Sequence, residues 1–111
     1  MTFDDAKPEI DKYMDEWVRL LLPGWCVTAE LREGDPGHSA ESITRWEYMQ
    51  AHVIFYPDTF DEVTNPNIES LVVHELVHAM LDQLGIKPSK NEERVVTMIE
   101  TALMRVKGAG K

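Results

Sequence analysis

The chain has 111 residues, a length that suits one domain and is too short for two independent hydrophobic cores. Apolar residues make up 43% of the sequence and charged residues 28%, which excludes collagen-like, low-complexity and wholly disordered chains. We therefore expect a single domain over residues 1–111, in which residues 108–111 form a frayed tail.

The net charge of −9 comes mainly from the first part of the chain. Residues 1–66 hold 14 acids and 5 bases, whereas residues 67–111 hold 6 of each. A protein of this charge repels phosphate backbones, so we expect no nucleic-acid partner. No apolar run approaches the roughly 20 residues that span a bilayer, and no signal-peptide pattern is present. We therefore expect no membrane partner and a cytoplasmic location.

The cysteine content agrees with a reducing compartment. Cys26 is the only cysteine, which excludes an internal disulfide and a cysteine-based zinc site. Because its neighbours Trp25 and Val27 are apolar, we expect Cys26 to pack in the core rather than to act as a nucleophile.

The first half of the chain predicts a helix followed by strands. Residues 8–22 have apolar side chains at helical spacing, and Pro23 and Gly24 end this amphipathic helix. Alternating apolar and polar positions then predict a strand, which has on one face Trp25, Val27, Ala29 and Leu31. The β-branched and aromatic segment 43–56 predicts one long strand, or two strands with a break near Glu47. Its expected inward face consists of Met49, Ala51, Val53 and Phe55.

The second half of the chain predicts two helices. Asn65 is the expected N-cap of the first, with Pro66 in its first turn, and Gly85 is its expected C-cap. The last helix begins near Ser89, and its expected inward residues are Val95, Val96, Met98, Ile99, Ala102, Leu103 and Val106. This order of elements predicts a small α+β domain with a mainly antiparallel sheet.

The first of these two helices contains a candidate metal site, His74-Glu75-Leu76-Val77-His78. Residues four apart lie one turn above one another, so both imidazoles project from the same face and can hold one Zn²⁺. Glu75 lies beside them, where it can act as the general base toward a water that the metal activates. The alternative is an accidental match, but these three polar residues are costly to place in an otherwise apolar helix unless they are satisfied.

A third ligand has to come from elsewhere, and since no histidine follows His78 the candidates are the carboxylates of Glu92 and Glu93. Glu92 has capping-box spacing from Ser89, which gives it a structural role that needs no metal. Glu93 lies at the rim of the predicted apolar face, and we favour it as the ligand. Glu92 points nearer the centre of that face and stays an alternative. In a third interpretation, both are first-turn acids that interact with the helix dipole.

This arrangement resembles the gluzincin metallopeptidases, the class typified by thermolysin. Residues 74–82 are similar to the active-site helix of that family, and residues 91–93 are similar to its glutamate helix. Apolar residues two, five and six positions after the ligand are usual in the family and favour Glu93, whereas a preceding asparagine is also usual and favours Glu92. Residues 40–106 resemble, in size and layout, the single-domain minigluzincins and the short zincin-like proteins of phage genomes.

The resemblance implies a minimal zincin-like fold and a zinc-dependent peptidase that acts on a peptide or protein substrate. It also implies that the strand segment Gln50-Ala51-His52-Val53 borders the cleft and pairs with an extended substrate. Asp82, an acid that the family helix also has, is a candidate for orienting a histidine ligand; the alternative is that it is a solvated helix acid.

One part of the family pattern is missing from the sequence. Gluzincins usually supply a tyrosine or histidine from a second subdomain to stabilise the oxyanion, and neither residue type follows His78. The candidates that the fold could bring over the metal are His38, Tyr48, His52 and Tyr56. This gap motivates a second hypothesis, in which the protein is a zinc-stabilised scaffold or regulatory binding module with little or no hydrolytic activity.

Overall fold

The computed structural model describes residues 3–60, 67–82 and 90–109. Within these ranges the chain forms three α-helices and three β-strands in the predicted order of helix, strands, helix, helix. Their bounds are α1 (Phe3–Leu21), β1 (Cys26–Leu31), β2 (Ala40–Arg45), β3 (Gln50–Phe55), α2 (Ile68–Asp82) and α3 (Lys90–Ala109). The α+β class predicted from the sequence is confirmed.

The three strands form one mixed sheet in the order β1-β3-β2. β3 pairs with β2 in the antiparallel orientation, for example Val53 with Ser42, and with β1 in the parallel orientation, for example Ala51 with Val27. The expectation of a mainly antiparallel sheet is therefore wrong for one of the two pairings. The reason is topological: β2 follows β1 in sequence but lies at the opposite edge of the sheet, so β1 and β3 are not joined by a hairpin.

A short break separates β2 from β3 at the predicted position near Glu47. A 3₁₀ turn over Trp46–Tyr48 is followed by Met49, whose φ of 52° lies in the left-handed region. Of the two interpretations that the sequence leaves open, one long strand or two, the structure shows two strands. Met49 is 46% exposed instead of lying on the inward face, because it belongs to this turn and not to the strand.

The core lies between the inner face of the sheet and helices α1 and α2. Three residues of β3 are buried there as predicted, namely Ala51, Val53 and Phe55. One stripe of α1 packs against them, formed by Ala6, Ile10, Met14 and Trp17. The helix begins at Phe3, five residues before the predicted start, and the additional turn places Ala6 in the same buried stripe.

β1 begins at Cys26, one residue after the predicted start. Trp25, Val27 and Leu31 pack against the core as expected, whereas Ala29 is exposed. Cys26 is also exposed, because successive side chains of a strand point to opposite faces and Val27 points inward. The expectation that Cys26 packs in the core is therefore wrong.

α2 begins with a side-chain cap. Oδ1 of Asn67 accepts a hydrogen bond from the backbone N–H of Ser70 at 3.2 Å. The predicted cap Asn65, its neighbour Pro66 and the predicted C-cap Gly85 lie outside the described residues. Much of the circumference of the helix is buried, as expected. Its buried residues are Ile68, Glu69, Val72, Val73, Glu75, Leu76, Val77 and Ala79.

α3 packs against the rest of the protein with one face. Val96 is fully buried, and Ile99 and Leu103 are partly buried. The other residues expected to point inward are exposed, namely Val95, Met98, Ala102 and Val106. A helix on the surface of a domain buries only an arc of its circumference, and the predicted face was wider than that arc.

The ends of α3 differ slightly from the prediction. The helix begins at Lys90, whereas the predicted start at Ser89 lies outside the described residues. It continues to Ala109, so the first two residues of the predicted frayed tail are helical. Among the helices of the described ranges, none combines the length and the apolar character that crossing a bilayer requires.

Candidate metal centre

His74 and His78 lie one turn apart on α2, and their rings are neighbours, as the spacing predicts. The ring centroids are 4.9 Å apart, and the side chains are 20% and 18% exposed. Both imidazoles therefore lie at the margin of the core, where the protein can hold one edge of each ring and a ligand can reach the other.

The Nε2 atoms of the two imidazoles converge on Glu93 of α3. Oε2 of Glu93 lies 3.2 Å from Nε2 of His74, and Oε1 lies 2.8 Å from Nε2 of His78. One ligand atom from each of the three residues falls within 4.8 Å of the others. The structure thus brings together the three residues that the sequence analysis favours as metal ligands.

The Nδ1 atoms of the same rings meet two other carboxylates. Nδ1 of His74 lies 2.9 Å from Oε1 of Glu100, and Nδ1 of His78 lies 3.0 Å from Oε1 of Glu92. An ionised carboxylate only accepts hydrogen bonds, so the ring donates Nδ1–H in each of these contacts. If a metal takes the place of a proton between Nε2 and Glu93, the proton stays on Nδ1 and the lone pair of Nε2 binds the metal.

Glu92 and Glu93 have different positions in this centre, although they are neighbours in sequence. Glu93 is on the Nε2 side of both rings, whereas Glu92 is buried and contacts Nδ1 of His78. The geometry therefore favours Glu93 over Glu92 as the third ligand and gives Glu92 the task of orienting a histidine. Ser89, the partner of Glu92 in the predicted capping box, lies outside the described residues.

Glu100 is the one member of this centre that the sequence analysis did not single out. It stands seven residues after Glu93, a spacing that returns to nearly the same face of a helix, so the sequence itself indicates that Glu100 lies on the side of Glu93. The resemblance in the sequence instead makes Asp82 a candidate for orienting a histidine. Among the described residues, the acceptors at Nδ1 are Glu92 and Glu100, and Asp82 lines the adjoining cavity.

Glu75 lies in the same centre and is almost fully buried, with 7% of its surface exposed. Burial raises the pKa of Glu75 above its ordinary value, because a charged carboxylate is disfavoured away from water. The neighbouring His78 and His74 and a hydrogen bond with Ser42 oppose this shift in pKa without cancelling it. A buried carboxylate whose pKa is raised is a stronger base than an exposed one, as proton abstraction from water requires.

A cavity of about 410 Å³ adjoins these residues. It is lined by His38, Ala40, Glu41, Ser42, Thr44, Glu75, His78, Asp82, Glu92 and Glu93. The strand that borders it is β2, an edge strand, and not β3. The prediction that the segment Gln50-Ala51-His52-Val53 pairs with substrate is therefore wrong, because β3 is the central strand and both of its edges are already hydrogen-bonded.

The donor atoms of this centre fit a divalent metal ion. Four carboxylates surround the two imidazoles, those of Glu75, Glu92, Glu93 and Glu100. So many like charges at short range repel one another, and a cation would offset that repulsion. Two imidazole nitrogens and one carboxylate oxygen form a donor set of catalytic zinc sites, and the same atoms also suit other divalent transition metals.

The four residues considered for oxyanion stabilisation lie in different places. His38 lines the cavity beside the candidate metal centre. His52 is on the opposite face of the sheet, where it contacts Thr28 and Glu30. Tyr48 belongs to the exposed turn between β2 and β3, and Tyr56 is buried behind His38.

Comparisons of this chain with protein-family models, with curated proteins and with solved structures find no significant match. The functional interpretation therefore depends on the described side chains. They form a set of three donor residues, two carboxylates that hold the imidazoles, and a buried carboxylate at the adjoining cavity.

Proposed function

We propose that this protein is a zinc-dependent metallopeptidase of the gluzincin type, as the resemblance in its sequence implies. The observation that carries the proposal is that Nε2 of His74 and Nε2 of His78 both converge on the carboxylate of Glu93, with one ligand atom of each of the three residues within 4.8 Å of the others. These three residues would hold the ion, and Glu92 and Glu100 would keep the imidazoles in the ligating tautomer.

The reaction would use Glu75 as the general base. When bound, a zinc ion in such a site polarises the scissile carbonyl and lowers the pKa of a water molecule. The carboxylate of Glu75 accepts a proton from the attacking water and then passes it to the amine that leaves. Burial keeps this carboxylate away from bulk water and raises its pKa, so it holds the proton long enough to transfer it.

The substrate would be an extended peptide that adds to the edge of the sheet at β2. Ala40, Glu41, Ser42 and Thr44 of this strand line the cavity. Within the described part of the chain, β2 pairs only with β3, so the backbone groups of its outer edge can pair with a peptide. Pairing along this edge would carry the peptide past Glu75, which hydrogen-bonds to Ser42.

A second candidate is a zinc-stabilised binding module with little or no hydrolytic activity. The favouring observation is that the donor residues come from two helices, His74 and His78 from α2 and Glu93 from α3. An ion held between them would join the helices and stabilise the fold without any reaction. Glu75 distinguishes the two candidates, because a structural site does not need a buried base next to its ligands.

The experiment that tests the proposal compares wild type with Glu75→Gln. Both proteins are purified with excess zinc, assayed for metal content and tested for cleavage of an unstructured protein and of a mixed peptide library. We expect about one equivalent of zinc in each, and at least about 100-fold slower cleavage by the variant. Glu47→Gln, the same change in an exposed turn, is the matched control and should keep full activity.

Two results would overturn the proposal. Cleavage by Glu75→Gln at the wild-type rate would show that Glu75 is not the base. Zinc bound at full occupancy with no cleavage of any peptide by the wild type would favour the binding module. A metal content below about half an equivalent would count against both candidates.

A further inference from the structure

A second cavity lies on the outer face of the sheet, the face that points away from the helices. It has a volume of about 380 Å³, and Thr28 and His52 are among its lining residues. The neighbours of His52 in β3, Ala51 and Val53, are buried in the core, so His52 points to the other face. Thr28 is its register partner on β1 and points the same way. This cavity is therefore separated by the sheet from the candidate metal centre.

The imidazole of His52 joins a hydroxyl group to a carboxylate on this face. Its Nδ1 lies 2.7 Å from Oγ1 of Thr28, and its Nε2 lies 2.9 Å from Oε1 of Glu30. Residues two apart on a strand point to the same face roughly 7 Å from each other, so one ring can bridge Thr28 and Glu30. A hydroxyl, an imidazole and a carboxylate in this order are the parts of a base-activated nucleophile.

The contacts also determine which atoms carry protons when the ring is neutral. A hydrogen bond with Arg32 and a second one with His52 lower the pKa of Glu30, so its carboxylate is ionised and only accepts. Nε2–H of His52 therefore donates to Glu30, and the lone pair is on Nδ1. The hydroxyl of Thr28 donates to that lone pair, which is the arrangement that lets His52 take its proton.

Arg45 adds a positive charge to the cavity. It lines the cavity from β2, and since β3 lies between β1 and β2, the backbones of Arg45 and Thr28 are roughly 10 Å apart. None of the described residues that line this cavity is acidic, and Arg45 forms no ion pair within the described ranges. Its guanidinium is therefore available to a carboxylate of a ligand that also reaches Thr28.

We propose that Thr28 and His52 form a second catalytic site, which hydrolyses esters whose acyl chain ends in a carboxylate. Glu30 is a positioning residue that holds the ring of His52, and Arg45 binds the carboxylate of the acyl chain. This inference does not rest on the proposed peptidase function, because it uses none of the residues of the candidate metal centre.

The reaction has two steps. Oγ1 of Thr28 forms a bond to the carbonyl carbon of the ester, and its proton passes to Nδ1 of His52. The bond from that carbon to the leaving oxygen then breaks, and the leaving oxygen takes the proton from Nδ1. In the second step a water molecule attacks the acyl group on Thr28 and gives a proton to Nδ1. The free acid leaves as Thr28 takes that proton back.

The test measures hydrolysis of the mono-para-nitrophenyl ester of adipic acid and of para-nitrophenyl hexanoate. The two esters have the same chain, which ends in a carboxylate in the first and in a methyl group in the second. A chelator in excess keeps metal out of the reaction, and circular dichroism checks that each protein is folded. The proteins are wild type, Thr28→Val, Thr28→Ser, His52→Gln, Arg45→Met, Cys26→Ala, Thr44→Val and His38→Gln.

For the adipate ester, we expect kcat/KM to fall about 100-fold in Thr28→Val and in His52→Gln, because each loses one part of the activated nucleophile. Thr28→Ser keeps a hydroxyl and should stay within about tenfold of wild type. Wild type should prefer the adipate ester by about tenfold, and Arg45→Met should remove this preference. Mass spectrometry of acid-quenched wild type should find the acyl group on Thr28.

Three variants are matched controls and should have the activity of wild type. Thr44→Val and His38→Gln remove the same residue types from the cavity beside the candidate metal centre. His38 also pairs its Nε2 with a carboxylate, that of Glu41 at 3.0 Å, so the same kind of contact is lost. Cys26 lines the same cavity as Thr28, and Cys26→Ala tests whether its thiol is the nucleophile instead.

Several results would overturn the inference. Hydrolysis by wild type no faster than by buffer would exclude the site, and equal rates for wild type and Thr28→Val would assign the reaction to other side chains. An acyl group on Cys26, with activity lost in Cys26→Ala, would transfer the role to the thiol. An unchanged preference in Arg45→Met would overturn the choice of substrate. The chelator keeps these outcomes separate from the success or failure of the peptidase proposal.

Discussion

Nδ1 of His74 lies 2.9 Å from Oε1 of Glu100. Glu100 follows Glu93 by seven residues on α3, so the two carboxylates lie two turns apart on nearly the same face of the helix. One helix thereby supplies both the candidate ligand and the acceptor that holds one of the imidazoles. An acceptor at Nδ1 fixes the ring and increases the basicity of Nε2, which strengthens a bond from Nε2 to a metal.

The first prediction follows from this contact. Glu100→Ala should weaken zinc binding by about 10-fold to 100-fold, because His74 loses the partner that orients it. Competition with a fluorescent chelator measures the change. Asp82→Ala is the control, since Asp82 lines the cavity and the Nδ1 acceptors are Glu92 and Glu100. An affinity loss that is larger for Asp82→Ala than for Glu100→Ala would contradict the assignment.

The sequence was sufficient for the part of the centre that depends on local geometry. His74 and His78 are four residues apart on one helix, and helical geometry alone places their rings together. The choice between Glu92 and Glu93 needs the rotation of α3 about its own axis, which packing against α2 determines. Both residues contact a histidine, and only the structure shows which nitrogen each one meets.

The fold also has features that local sequence patterns predict and features that they do not. The strand segments follow from local patterns, and of the two interpretations of segment 43–56 the structure shows the one with a break near Glu47. The parallel pairing of β1 with β3 joins segments about 24 residues apart, and no local pattern encodes it. The edge position of β2 depends on that pairing, which is why the sequence analysis placed the substrate on the wrong strand.

The second prediction concerns the stability that a metal adds. His78 of α2 and Glu93 of α3 come together only in the folded chain, so an ion held by both binds the folded state. Saturation with zinc should therefore stabilise the protein. At a free zinc concentration 100 times Kd, the gain in the free energy of unfolding is about 2.7 kcal/mol, or roughly 10 °C in Tm. Thermal unfolding with and without zinc measures it. His78→Ala should remove most of this zinc-dependent shift, and a variant that retains all of it would place the ion elsewhere.

The third prediction concerns Glu75 in the metal-free protein. Its pKa is raised by burial, so the native state binds this proton more tightly than the unfolded chain does. Stability from this group is therefore present at low pH and is lost as the pH rises from the ordinary pKa of 4.5 through the raised native value. Glu75→Gln should have a higher free energy of unfolding than wild type at neutral pH.

The pH dependence makes this prediction specific. Urea unfolding of the metal-free proteins at several pH values should show the advantage of Glu75→Gln shrinking as the pH falls from the raised native pKa toward 4.5, and nearly absent below 4.5. Glu47→Gln, in the exposed turn, should follow wild type throughout. An advantage that stays constant with pH would mean that Gln packs better and that the buried charge is not the cause.

The fourth prediction concerns Lys107, which connects all three helices near the end of α3. Its Nζ lies 2.8 Å from Oε1 of Glu16 of α1 and forms an ion pair with Glu69 of α2. The indole N–H of Trp17 donates to Glu69 at 2.7 Å, and the charge of Lys107 lies 5.4 Å from the centroid of that ring. Because Glu69 is buried, Lys107→Met should lower the free energy of unfolding by about 2 kcal/mol.

Lys7 offers the matched comparison for this variant. It pairs with Asp11 at 2.6 Å, but both side chains are more than half exposed and water screens the pair. Lys7→Met should therefore change the free energy of unfolding by less than about 0.5 kcal/mol in the same urea titration. If Lys7→Met and Lys107→Met lost equal stability, burial of Glu69 would not be what makes the pair at Lys107 strong.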